Sequence, residues 1–130
     1  MLARGLAGLG RRVRAPFRFQ SRAFAVQVME SGEQLQETLG GNPGKLVVID
    51  WTASWCGPCK QIAPILESLS EEHEDVVFVK VDVDQLNEAA MQAGVEAMPT
   101  FHFIKDKELI AEFAGADSSK LANYIEEYKC

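Results

Sequence analysis

The apolar run Leu46-Val47-Val48-Ile49 restricts this chain more than any other segment. A strand with no polar alternation has to be buried on both faces, which marks an interior strand of a sheet covered by helices on either side. The flanking segments fit that frame. Residues 26–29 read as a short first strand. Ser31 with Gln34 forms a capping-box pattern, so a helix is expected to reach Leu39. The turn Gly40-Gly41-Asn42-Pro43-Gly44 stops it. A helical pattern runs from about Cys59 to Glu72, with Ile62, Ile65, Leu66 and Leu69 on one face. Residues 76–83 form a second interior strand that ends in Asp82-Val83-Asp84, and residues 86–93 a short helix closed by Gly94. Residues 101–104 and 109–113 are two strands joined as a hairpin across Lys105-Asp106-Lys107-Glu108. Asp117 or Ser118 caps a last helix that turns Leu121, Tyr124, Ile125 and Tyr128 inward. The order βαβαβαββα predicts an α/β fold. It is a three-layer α/β/α sandwich with a central mixed β-sheet, parallel where strands alternate with helices and antiparallel at the hairpin.

Charge divides the chain in two. All six arginines lie in the first 22 residues, and no acid appears before Glu30. From Ala25 onward there are seven lysines against 19 acids, a net charge of −12, although the whole chain carries only −6. An acidic body argues against a nucleic-acid binder. No uncharged apolar run approaches the ~18 residues of a membrane span.

The basic leader has the form of an address. On a helical wheel, Leu2, Leu6, Leu9 and Val13 fall within about 60° of one another, while Arg4, Arg11, Arg12 and Arg14 lie on the other side. Pro16 ends the pattern. A basic amphipathic segment without acids is the character of a mitochondrial transit peptide. A secretory signal would need a longer apolar core than Gly5-Leu6-Ala7-Gly8-Leu9-Gly10. Arg22-Ala23-Phe24-Ala25 resembles a processing site with arginine three residues before the cut. Residues 1–24 are therefore expected to be a transit peptide, and residues 25–130 the folded domain, working in the mitochondrial matrix. The alternatives are a basic tail on a cytoplasmic protein or a tail that docks on anionic lipid.

Chemistry concentrates in Trp55-Cys56-Gly57-Pro58-Cys59-Lys60, between the buried strand and the long helix. Cysteines three apart at a helix start share a face and can close a disulfide across one turn. Cys56 lies where unpaired N–H groups and the helix dipole favour an anion, which stabilises its thiolate. Cys59, one turn in, is expected to be the more buried of the two and to remain a thiol until activated. Gly57 permits the tight turn, and Pro58 presets φ where its missing N–H costs nothing. A structural zinc site fails on inventory. The remaining donors of the usual kind are Cys130, His73 and His102, and none is spaced as a second pair.

Residues 26–129 resemble thioredoxins. The resemblance is carried by Trp55-Cys56-Gly57-Pro58-Cys59-Lys60, by Asp50 six residues before the first cysteine, by Met98-Pro99-Thr100 and by Gly115. It implies the thioredoxin fold and gives further residues roles. Asp50 corresponds to a buried carboxylate that acts, through water, as general base for Cys59, and Lys80 to a lysine that pairs with that carboxylate. Pro99 corresponds to a cis-proline facing the disulfide, with the backbone of Met98 pairing with an extended substrate. Trp55, Gly57, Pro58, Met98, Pro99 and Gly115 would form the apolar docking patch. Trp51 stands where phenylalanine is usual, and Ala93 and Ala97 where animal cytosolic relatives carry extra cysteines.

The function so implied is protein-disulfide reduction by a Cys56–Cys59 dithiol, in support of redox homeostasis and peroxide defence. The resemblance further implies that no cofactor is bound, that NADPH is used indirectly through a thioredoxin reductase, and that peroxiredoxins and other disulfide-bearing proteins are the clients; the chain is expected to be a monomer. The alternative is a redox-gated binding module that regulates a signalling partner without turnover. A disulfide isomerase or oxidase domain would usually carry histidine between its cysteines. Cys130 is expected to be a free thiol, with an intermolecular disulfide as the alternative.

Overall fold

The computed structural model describes residues 25–129. The expected transit peptide, its cleavage site and Cys130 lie outside the described residues. Nine elements follow in the predicted order: β1 (Val26–Val28), α1 (Gly32–Gly40), β2 (Leu46–Thr52), α2 (Gly57–Glu72), β3 (Val77–Asp82), α3 (Asn87–Gln92), β4 (Thr100–Lys105), β5 (Glu108–Ala114) and α4 (Ser118–Tyr128). The strands form one sheet ordered β1-β3-β2-β4-β5. β3 runs parallel to both β1 and β2. β4 is antiparallel to β2, and β5 to β4. The apolar run of residues 46–49 thus becomes the middle strand, in which every residue from Leu46 to Trp51 is buried.

Alternation along the strands divides the core between the two faces of the sheet. On one face, Leu46 and Val48 of β2 and Phe78 of β3 pack against Ile62 and Leu66 of α2 and against Leu121 and Ile125 of α4. On the other, Val47, Ile49 and Trp51 of β2 pack with Val79 and Val81 of β3, beneath Leu35 of α1 and Ala90 of α3. Two helices on each face make the expected three layers.

Local signals explain the boundaries. The Ser31 side chain accepts from the Gln34 N–H and opens α1, and Asp117 accepts from the Lys120 N–H and opens α4. In the β4–β5 hairpin, Asp106 and Lys107 both take the left-handed conformation, with φ of 51° and 69°. That matches the two-residue turn that fits the twist of paired strands. The Asp106 Oδ1 accepts from the Gly44 N–H at 2.8 Å, tying this turn to the one before β2.

α2 starts at Gly57 with Cys56 as its cap, where the cysteine spacing puts the helix start, although the apolar periodicity begins two residues later. One expectation needs correction. Ile65 does not join the buried stripe and is 38% exposed. It sits at the edge of the face centred on Ile62, Leu66 and Leu69, all of which are buried. A fully buried side chain of this size contributes ~1.5–3 kcal/mol, and Ile65 realises only part of that. No described helix is long and apolar enough to cross a membrane.

Candidate active site

Three loops meet around the cysteine pair, and each leaves or enters a neighbouring strand. The first follows β2 and leads into α2. Its backbone folds back as the Cys56 N–H donates to the Ala53 carbonyl at 3.2 Å. Cys56 takes the extended N-cap conformation, and its Sγ accepts from the Cys59 N–H at 3.2 Å. The sulfur thus takes the place of the oxygen that usually caps a helix. That N–H and the positive end of the helix dipole both favour negative charge on this sulfur.

Cys56 and Cys59 are joined as a disulfide, with Cα atoms 5.3 Å apart. Contrary to expectation, they are buried almost equally, with 4% and 3% exposure. The reason is the second loop. The Met98 carbonyl oxygen lies 3.6 Å from the Cys56 Sγ and covers the sulfur that the helix position alone would leave open.

The Met98–Pro99 peptide, just before β4, is cis. The third loop follows β5, where the Gly115 N–H donates to the Pro99 carbonyl at 2.8 Å. Gly115 has φ of +110°, a conformation that side chains disfavour even though nothing would crowd a Cβ there. Trp55 is 65% exposed beside this cluster. Its indole N–H donates to Asp84 Oδ2 at 2.9 Å. Asp82 shapes that turn by accepting from the Asp84 N–H at 2.8 Å. The sequence showed the acidic end of β3 but gave no sign that Asp84 holds the tryptophan.

Asp50 lies in β2 with 1% exposure, and among the described residues neither carboxylate oxygen has a hydrogen-bond partner. Its register partner on β3 is Lys80. Burial raises the Asp50 pKa from 3.8 to about 6, and the Lys80 charge opposes the rise. An open pocket of about 200 Å³ reaches Cys59 along Lys60, Lys80 and Asp82. Cys59 is thereby approached from the Lys80 side of the sheet, whereas Met98 covers Cys56 from the other loop.

Trp51 and His102, which nothing links in the sequence, are joined in the structure. The Trp51 Nε1–H donates to the His102 Nδ1 at 3.1 Å. Partners 51 residues apart leave no local trace in a sequence. Among the described residues, no three His, Cys, Asp or Glu side chains converge where a metal ion would sit.

The thioredoxin family model matches residues 26–127. Thioredoxin from Mus musculus is 46% identical over 103 residues, covering 79% of this chain and 98% of that protein. Thioredoxin from Homo sapiens is 45% identical over 102 residues, covering 78% and 97%. The X-ray structure of Fasciola hepatica thioredoxin superposes with a TM-score of 0.78 at 46% identity, covering 79% of this chain and 99% of that one.

Proposed function

This chain belongs to the thioredoxin family and is a thiol–disulfide oxidoreductase, and on that premise we propose that it reduces disulfides in protein substrates and is recycled by an NADPH-dependent thioredoxin reductase. The observation that carries this is the Cys56–Cys59 pair at the start of α2, with the Cys59 N–H directed at the Cys56 sulfur.

In the dithiol form, the Cys56 thiolate attacks one sulfur of the substrate disulfide. A Cys56–substrate bond forms, and the other substrate sulfur leaves as a thiolate that takes a proton from water. Asp50, with a pKa near neutrality, accepts the Cys59 proton. The Cys59 thiolate then attacks the Cys56 sulfur, closes the intramolecular disulfide and releases the second substrate thiolate. The substrate gains two electrons and the cysteine pair loses two. The exposed Trp55, the half-buried Met98 and the Gly115 loop form the surface on which the substrate docks. Peroxiredoxins are fitting clients, because each peroxide they reduce leaves them with a disulfide to be reduced. The domain acts as a monomer.

The test is insulin reduction with catalytic amounts of this protein, NADPH and thioredoxin reductase. Many turnovers per molecule are expected. A single stoichiometric event would identify a binding module instead. Cys59→Ser is expected to accumulate mixed disulfides with client proteins, seen as dithiothreitol-sensitive bands on non-reducing gels. A variant that traps nothing removes Cys59 as the resolving thiol.

The site of action is the mitochondrial matrix, on the strength of the arginine-rich, acid-free leader that precedes the family match at Val26. N-terminal sequencing of the protein from purified mitochondria is expected to begin at Ala25. Intact Met1 on protein confined to the cytosol would overturn both the import and the processing.

A further inference from the structure

Trp51, His102 and Glu112 stand on β2, β4 and β5, which lie side by side in the sheet. Trp51 is one residue from the end of β2, His102 two residues into β4, and Glu112 two residues from the end of β5. Those strand ends carry the three loops of the site. β2 leads into the cysteine loop, β4 begins right after Pro99, and β5 ends right before Gly115.

A line of side-chain contacts crosses the strands at this level. The Trp51 indole N–H donates to His102 Nδ1 at 3.1 Å. The indole only donates, so the neutral imidazole carries its proton on Nε2. That nitrogen faces Glu112 Oε1 at 3.4 Å, and His102 and Glu112 are register partners. His102 is buried, and the ends of the line differ: Trp51 lies in the core with Cys56 and Cys59, whereas Glu112 reaches solvent. A buried indole has a polar edge and needs a partner to fix its orientation.

We propose that His102 is a positioning residue of the disulfide-reducing site: by holding the Trp51 indole and facing Glu112, it sets the spacing of the three loops on which a protein disulfide docks. This rests on the reductase reading above. A protein substrate touches all three loops, whereas a small disulfide needs only the Cys56 sulfur. With leucine at 102 the indole N–H loses the acceptor that fixes the ring beside the cysteine loop. Glutamine at 102 keeps both functions, since its carbonyl oxygen accepts and its amide N–H donates.

The experiment measures KM and kcat for insulin with saturating dithiothreitol, and the rate at which pre-reduced protein attacks 5,5′-dithiobis(2-nitrobenzoate). His102→Leu is expected to raise the insulin KM about tenfold, with kcat and the small-disulfide rate kept within about twofold. His102→Gln is expected to return KM to within about twofold of the parent. Trp51→Phe combined with His102→Leu also lowers KM again, because no indole is left to anchor. An unchanged KM in folded His102→Leu overturns the proposal. So does a parallel fall of kcat and the small-disulfide rate, or a His102→Gln variant as impaired as His102→Leu. If the parent protein fails to turn over insulin at all, the reductase reading falls and this role falls with it.

Discussion

Cys56→Ser is expected to lower protein-disulfide reduction by a factor on the order of 10³ or more while leaving the fold in place. Only a thiolate attacks the substrate disulfide, and a serine hydroxyl at this position neither ionises nor forms a disulfide. Cys59 does not take over. Its N–H points at residue 56, so the stabilising end of the helix serves the first position and not the second. The helix survives because serine is itself a strong N-cap, and its oxygen can accept the same Cys59 N–H. Insulin turnover and far-UV circular dichroism, measured on the same preparation, separate the two effects. Normal turnover in a correctly folded variant would refute Cys56 as the nucleophile. Lost turnover together with a lost circular dichroism signal would show a structural role instead.

Asp50→Asn carries the second large effect, and its direction runs against intuition for a site residue. Folding raises the Asp50 pKa from 3.8 to about 6, so the folded protein holds this proton more tightly than the unfolded chain does. Stability therefore falls as pH rises through that window, and above it the ionised carboxylate costs the fold about 3 kcal/mol. The cause is burial of the charge away from solvent, only partly offset by Lys80. Asparagine cannot ionise. In urea unfolding of the oxidised protein, the stability of Asp50→Asn relative to the parent should improve by about 3 kcal/mol between pH 3.5 and pH 8. A difference that does not change with pH would show that Asp50 is not held in this state. On the proposed mechanism the same substitution removes the base for Cys59, so release of the mixed disulfide is expected to slow at neutral pH and its rate to lose the inflection near pH 6.

Much of the architecture was legible because it is written in short-range patterns. The unbroken apolar run at 46–49 named the central strand, the Ser31 and Asp117 caps named two helix starts, and alternation of strands with helices fixed the layers. Ile65 was misplaced because periodicity tells which residues share a side but not how wide the covered stripe is. The equal burial of the two cysteines was missed for another reason. Helix position ranks Cys59 as the more buried, and the Met98 carbonyl that lies against Cys56 comes from 42 residues away. The partners of Asp84 and His102 leave no mark in the sequence, because each looks ordinary beside its own neighbours and acts on a tryptophan in a different element.

The sequence by itself determined the chemistry and the scaffold. A Cys-x-x-Cys pair after a buried strand and at a helix start already specifies a dithiol with one activated sulfur, since spacing and helix-end electrostatics are local properties. The split between an arginine-only leader and an acidic body was equally plain from the sequence. Tertiary structure decided how the dithiol is housed. The resemblance implied that the Met98-Pro99 segment faces the cysteines and that Lys80 pairs with Asp50, and the strand register puts both in place. Tertiary structure alone tied Trp55 to Asp84 and linked Trp51 to His102 near the ends of adjacent strands. Each of those depends on sheet order and strand register, which bring distant residues together and which no local pattern encodes.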